Sequence, residues 1–147
     1  FSLLTDPKWL EARSLALGEM SAKVTAKKAG KGGVTVSMKR HVKRELPALV
    51  AKVLSDESDL QFEETWTPDG DGYTGRMTMD IVGQPVKMTA DFSLQPAGKG
   101  CVYQIQHTVK SSIPLLGGTV AKFAQGQIEE GCADEFRYLV KALKSAG

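Results

Sequence analysis

The spacing of apolar residues changes twice along this chain, and the changes divide it into helical, extended and helical regions. Asp6 and Pro7 indicate a helix start, because aspartate can cap free N–H groups and proline suits the first helical position. Gly18 is predicted to end this helix. Four of its apolar residues are expected to face the core: Trp9, Leu10, Leu15 and Leu17.

From residue 22 to residue 109 apolar and polar residues mostly alternate, which is the pattern of strands with one buried face. A glycine-rich stretch predicts a turn between the first two strands, and a brief return to helical spacing follows at residues 46–54. Turn residues rich in glycine and proline then separate four more strands. The six predicted strands cover residues 22–27, 34–42, 60–66, 73–81, 86–94 and 103–109.

After Pro114 the spacing becomes helical again and predicts one long final helix with an apolar stripe. We expect this helix to lie across the covered face of the sheet, which gives an α+β fold. Gly126 and Gly131 are unusual inside it, because each interior glycine costs ~1 kcal/mol relative to alanine. They either leave volume beneath the helix or permit close packing on the sheet. The stripe consists of Leu116, Val120, Phe123, Ile128, Cys132, Phe136, Leu139 and Leu143.

Composition narrows the classes of partner. The formal net charge of the 147 residues is +2, so no overall field selects nucleic acid. The apolar runs fall far short of the ~20 residues that span a bilayer, and we expect no stable membrane insertion. No signal-peptide pattern is evident, so the cytoplasm is the expected location. Cys101 and Cys132 lack the spacing of a disulfide framework or metal site and are expected to be buried thiols. We predict no metal and no cofactor.

The order of elements resembles the helix-grip fold of the START-like (SRPBCC) superfamily, and the chain is similar to an uncharacterised bacterial domain-of-unknown-function family within it. The resemblance covers nearly the whole chain. It rests on Leu3-Leu4-Thr5-Asp6-Pro7-Lys8-Trp9, Leu46-Pro47-Ala48-Leu49, Glu63-Glu64-Thr65-Trp66 and Ile113-Pro114-Leu115-Leu116-Gly117-Gly118 with Phe123 and Gly126-Gln127.

This resemblance implies a single domain over residues 1–147, with a curved antiparallel sheet wrapped around the long final helix. It also implies that a seventh strand and most of a first helix precede Phe1. Members of the superfamily commonly hold apolar ligands between sheet and helix. The short helix from Pro47 to Leu54 would then gate the cavity.

The residues expected to bind such a ligand lie on the covered face or on the final helix. The apolar ones could equally fill a dry core, since methionine and aromatic side chains suit both roles. They are Phe62, Trp66, Met77, Met79, Met88, Ala90, Phe92, Ile105 and Phe123, with the polar residues Glu64, Tyr103, His107 and Gln127 among them.

Arg40 and Glu64 fall in phase with the core residues, so both need partners or access to solvent. They could line the cavity and orient a polar head group. They could instead form a structural ion pair near the rim, or a bulge could turn Arg40 outward.

Binding of a hydrophobic or lipid-like small molecule is the function these patterns favour. One alternative is a cyclase- or hydrolase-type enzyme that uses His107 or Glu64 as acid or base, with Tyr103 positioning the substrate. It ranks lower because no paired carboxylates, nucleophile–base pair or metal cluster stands out. Another alternative is a ligand-free domain that works through a partner protein. The oligomeric state does not follow from the sequence.

Overall fold

A computed structural model describes residues 1–113 and 115–146. Within these residues three α-helices, a short 3₁₀ turn and six strands follow one another. Their bounds are α1 Pro7–Ala16, β1 Ser21–Lys28, a 3₁₀ turn Gly30–Gly32, β2 Val34–Lys43, α2 Ala48–Ala51, β3 Glu57–Asp69, β4 Gly72–Ile81, β5 Val86–Ala97, β6 Gly100–Ser111 and α3 Gly117–Ala146.

The strands form one curved antiparallel sheet in the order β1-β2-β3-β4-β5-β6, so each strand pairs with its neighbours in sequence. Two-residue turns join β3 to β4 and β5 to β6. Each begins with a glycine at positive φ, Gly70 at 59° and Gly98 at 57°, a conformation that glycine adopts without steric cost. The predicted α+β fold is confirmed, and the arrangement is consistent with a helix grip.

The core lies between the covered face of the sheet and the helices. Side chains from neighbouring strands form rows across this face, such as Phe62, Met79 and Met88, which occupy paired positions on β3, β4 and β5. Helix α1 packs against β1, whereas α3 packs near β6 and contributes Leu139 to the main apolar cluster. Val120, also on α3, belongs to a second cluster beside α2.

Several expectations about individual side chains were wrong. Leu15 and Leu17 are exposed, because α1 ends at Ala16 and its buried face carries Leu10, Arg13 and Ser14. The helix predicted for residues 46–54 is only the four residues of α2. Cys101 is exposed on the edge strand β6. Two members of the α3 stripe, Phe136 and Leu143, are each half exposed.

The long helix begins at Gly117, and Pro114 lies outside the described residues. Among the helices of the described chain, none combines the length and apolar character needed to cross a membrane.

Candidate ligand-binding site

A cavity of about 140 Å³ lies between the covered face of the sheet and α3. A second cavity of about 240 Å³ adjoins it between β6 and α3. The two cavities share lining residues, so they lie side by side. The shared residues are Leu4, Arg13, Tyr103, Ile105, Cys132 and Glu135.

Most residues predicted to bind a ligand are brought together around the first cavity. They come from the central strands, from β6 and from the middle of α3. These residues are Phe62, Glu64, Met77, Met79, Met88, Phe92, Tyr103, Ile105, Phe123 and Gln127.

Trp66 and Ala90 lie outside both linings and are core residues instead. The Trp66 side chain is 1% exposed, and its ring centroid lies 4.5 Å from that of Phe92 and 6.2 Å from that of Tyr103. The indole still touches the site, because Nε1 donates a 3.4 Å hydrogen bond to Glu64 Oε2. Trp66 therefore supports a polar group of the cavity without lining it.

His107 is also absent from both linings. It occupies the same cross-strand row as Glu64, through Met77 and Ala90. Three strand spacings of ~4.8 Å put about 14 Å between the backbones of the two residues. The two candidates for acid–base chemistry thus belong to different places on the sheet.

Arg40 does not turn outward and does not form the predicted pair with Glu64. Its buried Nη1 donates to Glu135 Oε1 at 2.9 Å and to Glu19 Oε1 at 3.0 Å, while the guanidinium stacks 4.4 Å from the ring centroid of Phe62. Sequence reasoning missed both acidic partners. They lie in the α1–β1 loop and on α3, and a pairing between residues 40 and 135 leaves no mark in local spacing.

The two carboxylates that pair with Arg40 respond differently to burial. Burial raises the pKa of Glu19 more than Arg40 lowers it. Glu135 is also penalised by burial, but Arg40 and Arg13 together hold its pKa below the usual value. Glu135 is therefore the carboxylate that keeps its charge, and it faces both cavities.

Glu64 and Tyr103 are polar residues of the sheet that line the cavity together with Arg40 and Ser58. Burial raises the pKa of the Glu64 carboxyl, and Arg13 and Arg40 only partly offset this effect. Burial beside Glu64 and Glu135 raises the pKa of the Tyr103 hydroxyl, which stays a neutral hydrogen-bond donor.

Cys132, on the α3 side of the cavity, has a thiol of low nucleophilicity. Burial, reinforced by Glu135, raises the pKa of Cys132 to about 11. Because the thiolate is the reactive form, this thiol is not activated as a nucleophile.

Arg13 of α1 is a site residue that the sequence did not reveal. Its residue surface is 6% exposed, and it lines both cavities. Its Nε has no hydrogen-bond partner among the described residues, and Nη2 lies 3.5 Å from Glu135 Oε1, beyond a usual charge-assisted bond. A helical pattern of Leu10, Arg13 and Ser14 on one face would have been the only available signal.

The α3 glycines behave differently from one another. A Cβ on either Gly126 or Gly131 would meet no atom within 4 Å. Close packing of the helix on the sheet therefore does not require glycine at either position. Gly131 is half-buried and lines the first cavity, whereas Gly126 is exposed. Gly131 therefore leaves volume beneath the helix.

Residues around α2 and the β4–β5 turn surround the cavity at the end away from Arg13. The Gln84 side chain accepts a 2.9 Å hydrogen bond from Ser55 N–H and donates a 2.8 Å bond to Ser58 Oγ. Arg44 Nη1 donates to Gln127 Oε1 at 3.1 Å, which ties the end of β2 to α3. These side-chain bonds hold the segment between α2 and β3 in place.

A family model described as "Protein of unknown function (DUF2505)" matches residues 1–143. The chain belongs to this family. The chain is also similar to uncharacterized proteins of Mycobacterium bovis and of Mycobacterium tuberculosis strains CDC 1551 and H37Rv, each 31% identical over 108 residues. The matched segment covers 71% of this chain and 61% of each relative, so the chain matches less than two thirds of these relatives' length.

Proposed function

We propose that this chain binds a small hydrophobic molecule in the space between the sheet and α3. The observation that carries the proposal is the cavity itself, which apolar side chains of β3, β4, β5 and α3 surround. A closed domain that works only through a partner protein would need no such space in its interior.

The volumes of the two cavities and the lining of the first suit a small apolar ligand. An engineered cavity of about 150 Å³ lined by apolar side chains binds benzene, and the first cavity here is of similar size. The adjoining 240 Å³ gives room for a longer molecule. Met77, Met79 and Met88 line the first cavity, and methionine adapts to irregular apolar shapes.

The resemblance to the START-like superfamily supports the same proposal, because its members commonly hold apolar ligands between sheet and helix. We extend the proposal to one ligand-binding domain over residues 1–147, with the α2 segment and its Gln84 hydrogen bonds as the gate.

Filling the space tests the proposal. Gly131→Leu places a side chain where the structure leaves open volume, so we expect it to weaken binding of an apolar probe at least tenfold. The fold should gain stability, since an interior glycine costs a helix ~1 kcal/mol. Calorimetric titration with 1-octanol, octanoic acid and octylamine measures the loss of affinity. Native mass spectrometry of the purified protein tests whether a small molecule stays bound through purification.

Gly126→Leu is the matched control, because it makes the same change on the same helix at an exposed position outside the cavity. It should leave probe binding unchanged. The proposal is wrong if none of the three probes binds the unaltered chain, or if Gly131→Leu and Gly126→Leu bind a probe equally well.

A further inference from the structure

The polar end of the cavity contains a cation whose hydrogen-bonding capacity is largely unused. Arg13 is more than nine-tenths buried, its Nε lacks a partner within the described chain, and its contact with Glu135 is long. Buried donors left in this way cost free energy, and native structures rarely keep them without a reason. An incoming acceptor group would satisfy them.

The neighbouring charges limit what that group can be. Arg13 of α1, Arg40 of β2 and nearby Arg44 face the carboxylates Glu19, Glu64 and Glu135. Glu130 and Glu129 of α3 also act on Arg44 and Cys132, and Asp56, between α2 and β3, lines the cavity. Tyr103 of β6 and Cys132 stay neutral. The carboxylates already match or outnumber these three cations, so a ligand carboxylate needs a proton to accompany it.

Glu64 is the carboxylate placed to share that proton. It lines the cavity, and its hydrogen bond from Trp66 is long at 3.4 Å. Glu135 instead accepts a 2.9 Å bond from Arg40 and holds its charge, and Glu19 does not line either cavity.

We propose that the ligand is an apolar carboxylic acid, whose head group binds Arg13 and shares one proton with Glu64. This inference rests on the proposed function. The planar guanidinium fork matches a carboxyl group with two parallel hydrogen bonds, which a single hydroxyl cannot make. An amine would place its charge beside Arg13 and Arg40.

Three probes with the same eight-carbon chain separate these head groups. We expect octanoic acid to bind the full chain at least tenfold more tightly than 1-octanol or octylamine at pH 6. Above the pKa of Glu64 in the free protein, calorimetry in buffers of different ionisation enthalpy should show uptake of up to one proton with the acid. Its Kd should rise by up to tenfold per pH unit above the pKa of Glu64 in the free protein, within a titration from pH 5.5 to 9.5.

Two variants locate the effect. Glu64→Gln carries no proton to share, so the proton uptake and the pH dependence of octanoic acid binding should disappear. Arg13→Met should remove the preference for acid over alcohol, and Arg13→Lys should restore part of it. The Glu64→Gln readout needs no change at Arg13, so it stands if Arg13→Met does not fold.

The outcomes separate the inference from the proposed function. Equal binding of octanoic acid and 1-octanol without proton uptake would overturn the inference and leave a cavity that binds apolar molecules. A preference for octylamine would overturn it in the same way. If no probe binds the unaltered chain, the proposed function fails and the inference fails with it.

Discussion

Glu64 has a higher affinity for a proton in the folded chain than in the unfolded chain. Its carboxyl lies among Phe62, Met77 and Met79 around the cavity, and one long hydrogen bond from Trp66 replaces the water it loses. A carboxyl whose pKa rises on folding is least costly to bury when protonated. Its effect on stability is therefore a loss that grows as pH rises above the ordinary value of 4.5.

Glu64→Gln should raise the free energy of unfolding at pH 7 by about 1–2 kcal/mol, the usual cost of an under-paired buried polar group. The gain should shrink toward zero as the pH falls below 4.5, because the native carboxyl is then protonated in both states. Urea unfolding at pH 4 and pH 7 measures this. Glu63→Gln, the exposed neighbour, should change little; a loss of stability in Glu64→Gln at both pH values would contradict the argument.

Strand β4 owes its close fit with β5 to a missing side chain. Gly75 pairs with Phe92, and a Cβ at residue 75 would lie 2.0 Å from Phe92 Cε2. The ring of Phe92 therefore rests on the backbone of β4 and reaches the Trp66 indole. The aromatic cluster at this end of the sheet depends on that glycine.

Gly75→Ala should lower the free energy of unfolding by about 1–3 kcal/mol, the usual cost of overpacking a core. Thermal or urea unfolding measures the change. Combining it with Phe92→Leu should cost less than the sum of the two single changes, since they share one contact. Gly126→Ala, where nothing lies nearby, should instead stabilise by up to ~1 kcal/mol. Equal effects at residues 75 and 126 would rule out the contact as the cause.

The positions of the strands can be predicted from the local spacing of apolar residues. The cavity and the side-chain pairings inside the protein cannot. The two-residue period located each of the six strands in the described part of the chain, since alternation is a property of neighbours along the chain. It also located Phe62, Met77 and Met79 in the cavity lining. It does not reveal Arg13, because the pattern consists of apolar positions and Arg13 is a cation on the buried face of α1.

Space and pairing are tertiary properties. Gly131 lines the cavity but Gly126 does not, so even an interior glycine of α3 does not mark a cavity by itself. The partners of Arg40 come from opposite ends of the chain. His107 was in phase with the core residues and lies on the same strand as Tyr103 and Ile105, but of these three only Tyr103 and Ile105 line the cavities. Phase along a strand gives the face of the sheet, not whether a residue on that face reaches the cavity.

At the scale of the whole molecule, one buried ionic network joins both ends of the chain. Arg40 of β2 binds Glu19 beside α1 and Glu135 of α3, and Arg13 of α1 also faces Glu135. Removing one partner of such a pair leaves an uncompensated buried charge, which costs more than the intact pair contributes.

Glu135→Gln should therefore lower the free energy of unfolding by about 3 kcal/mol at pH 7. Its pKa is lowered in the folded chain, so this contribution is full above pH 4.5 and is lost as the pH falls through the folded value. The variant and the unaltered chain should converge in acid. Asp134→Asn removes the exposed pair with Arg137 and should cost less than ~1 kcal/mol. Similar losses of unfolding free energy in both variants at pH 7 would show that the buried network contributes no more than an exposed ion pair.

The same network constrains how the family can change through descent. A lineage that replaces Arg40 alone keeps two buried acids without the cation that binds both of them. One that replaces Glu135 alone leaves Arg13 without its ion-pair partner and leaves Arg40 with Glu19 alone. A single substitution at any one of these positions is therefore destabilising. Simultaneous replacement of the charged residues by apolar residues of similar volume can be tolerated. Positions 13, 19, 40 and 135 should therefore covary across the family, so that the four residues are kept together or replaced together.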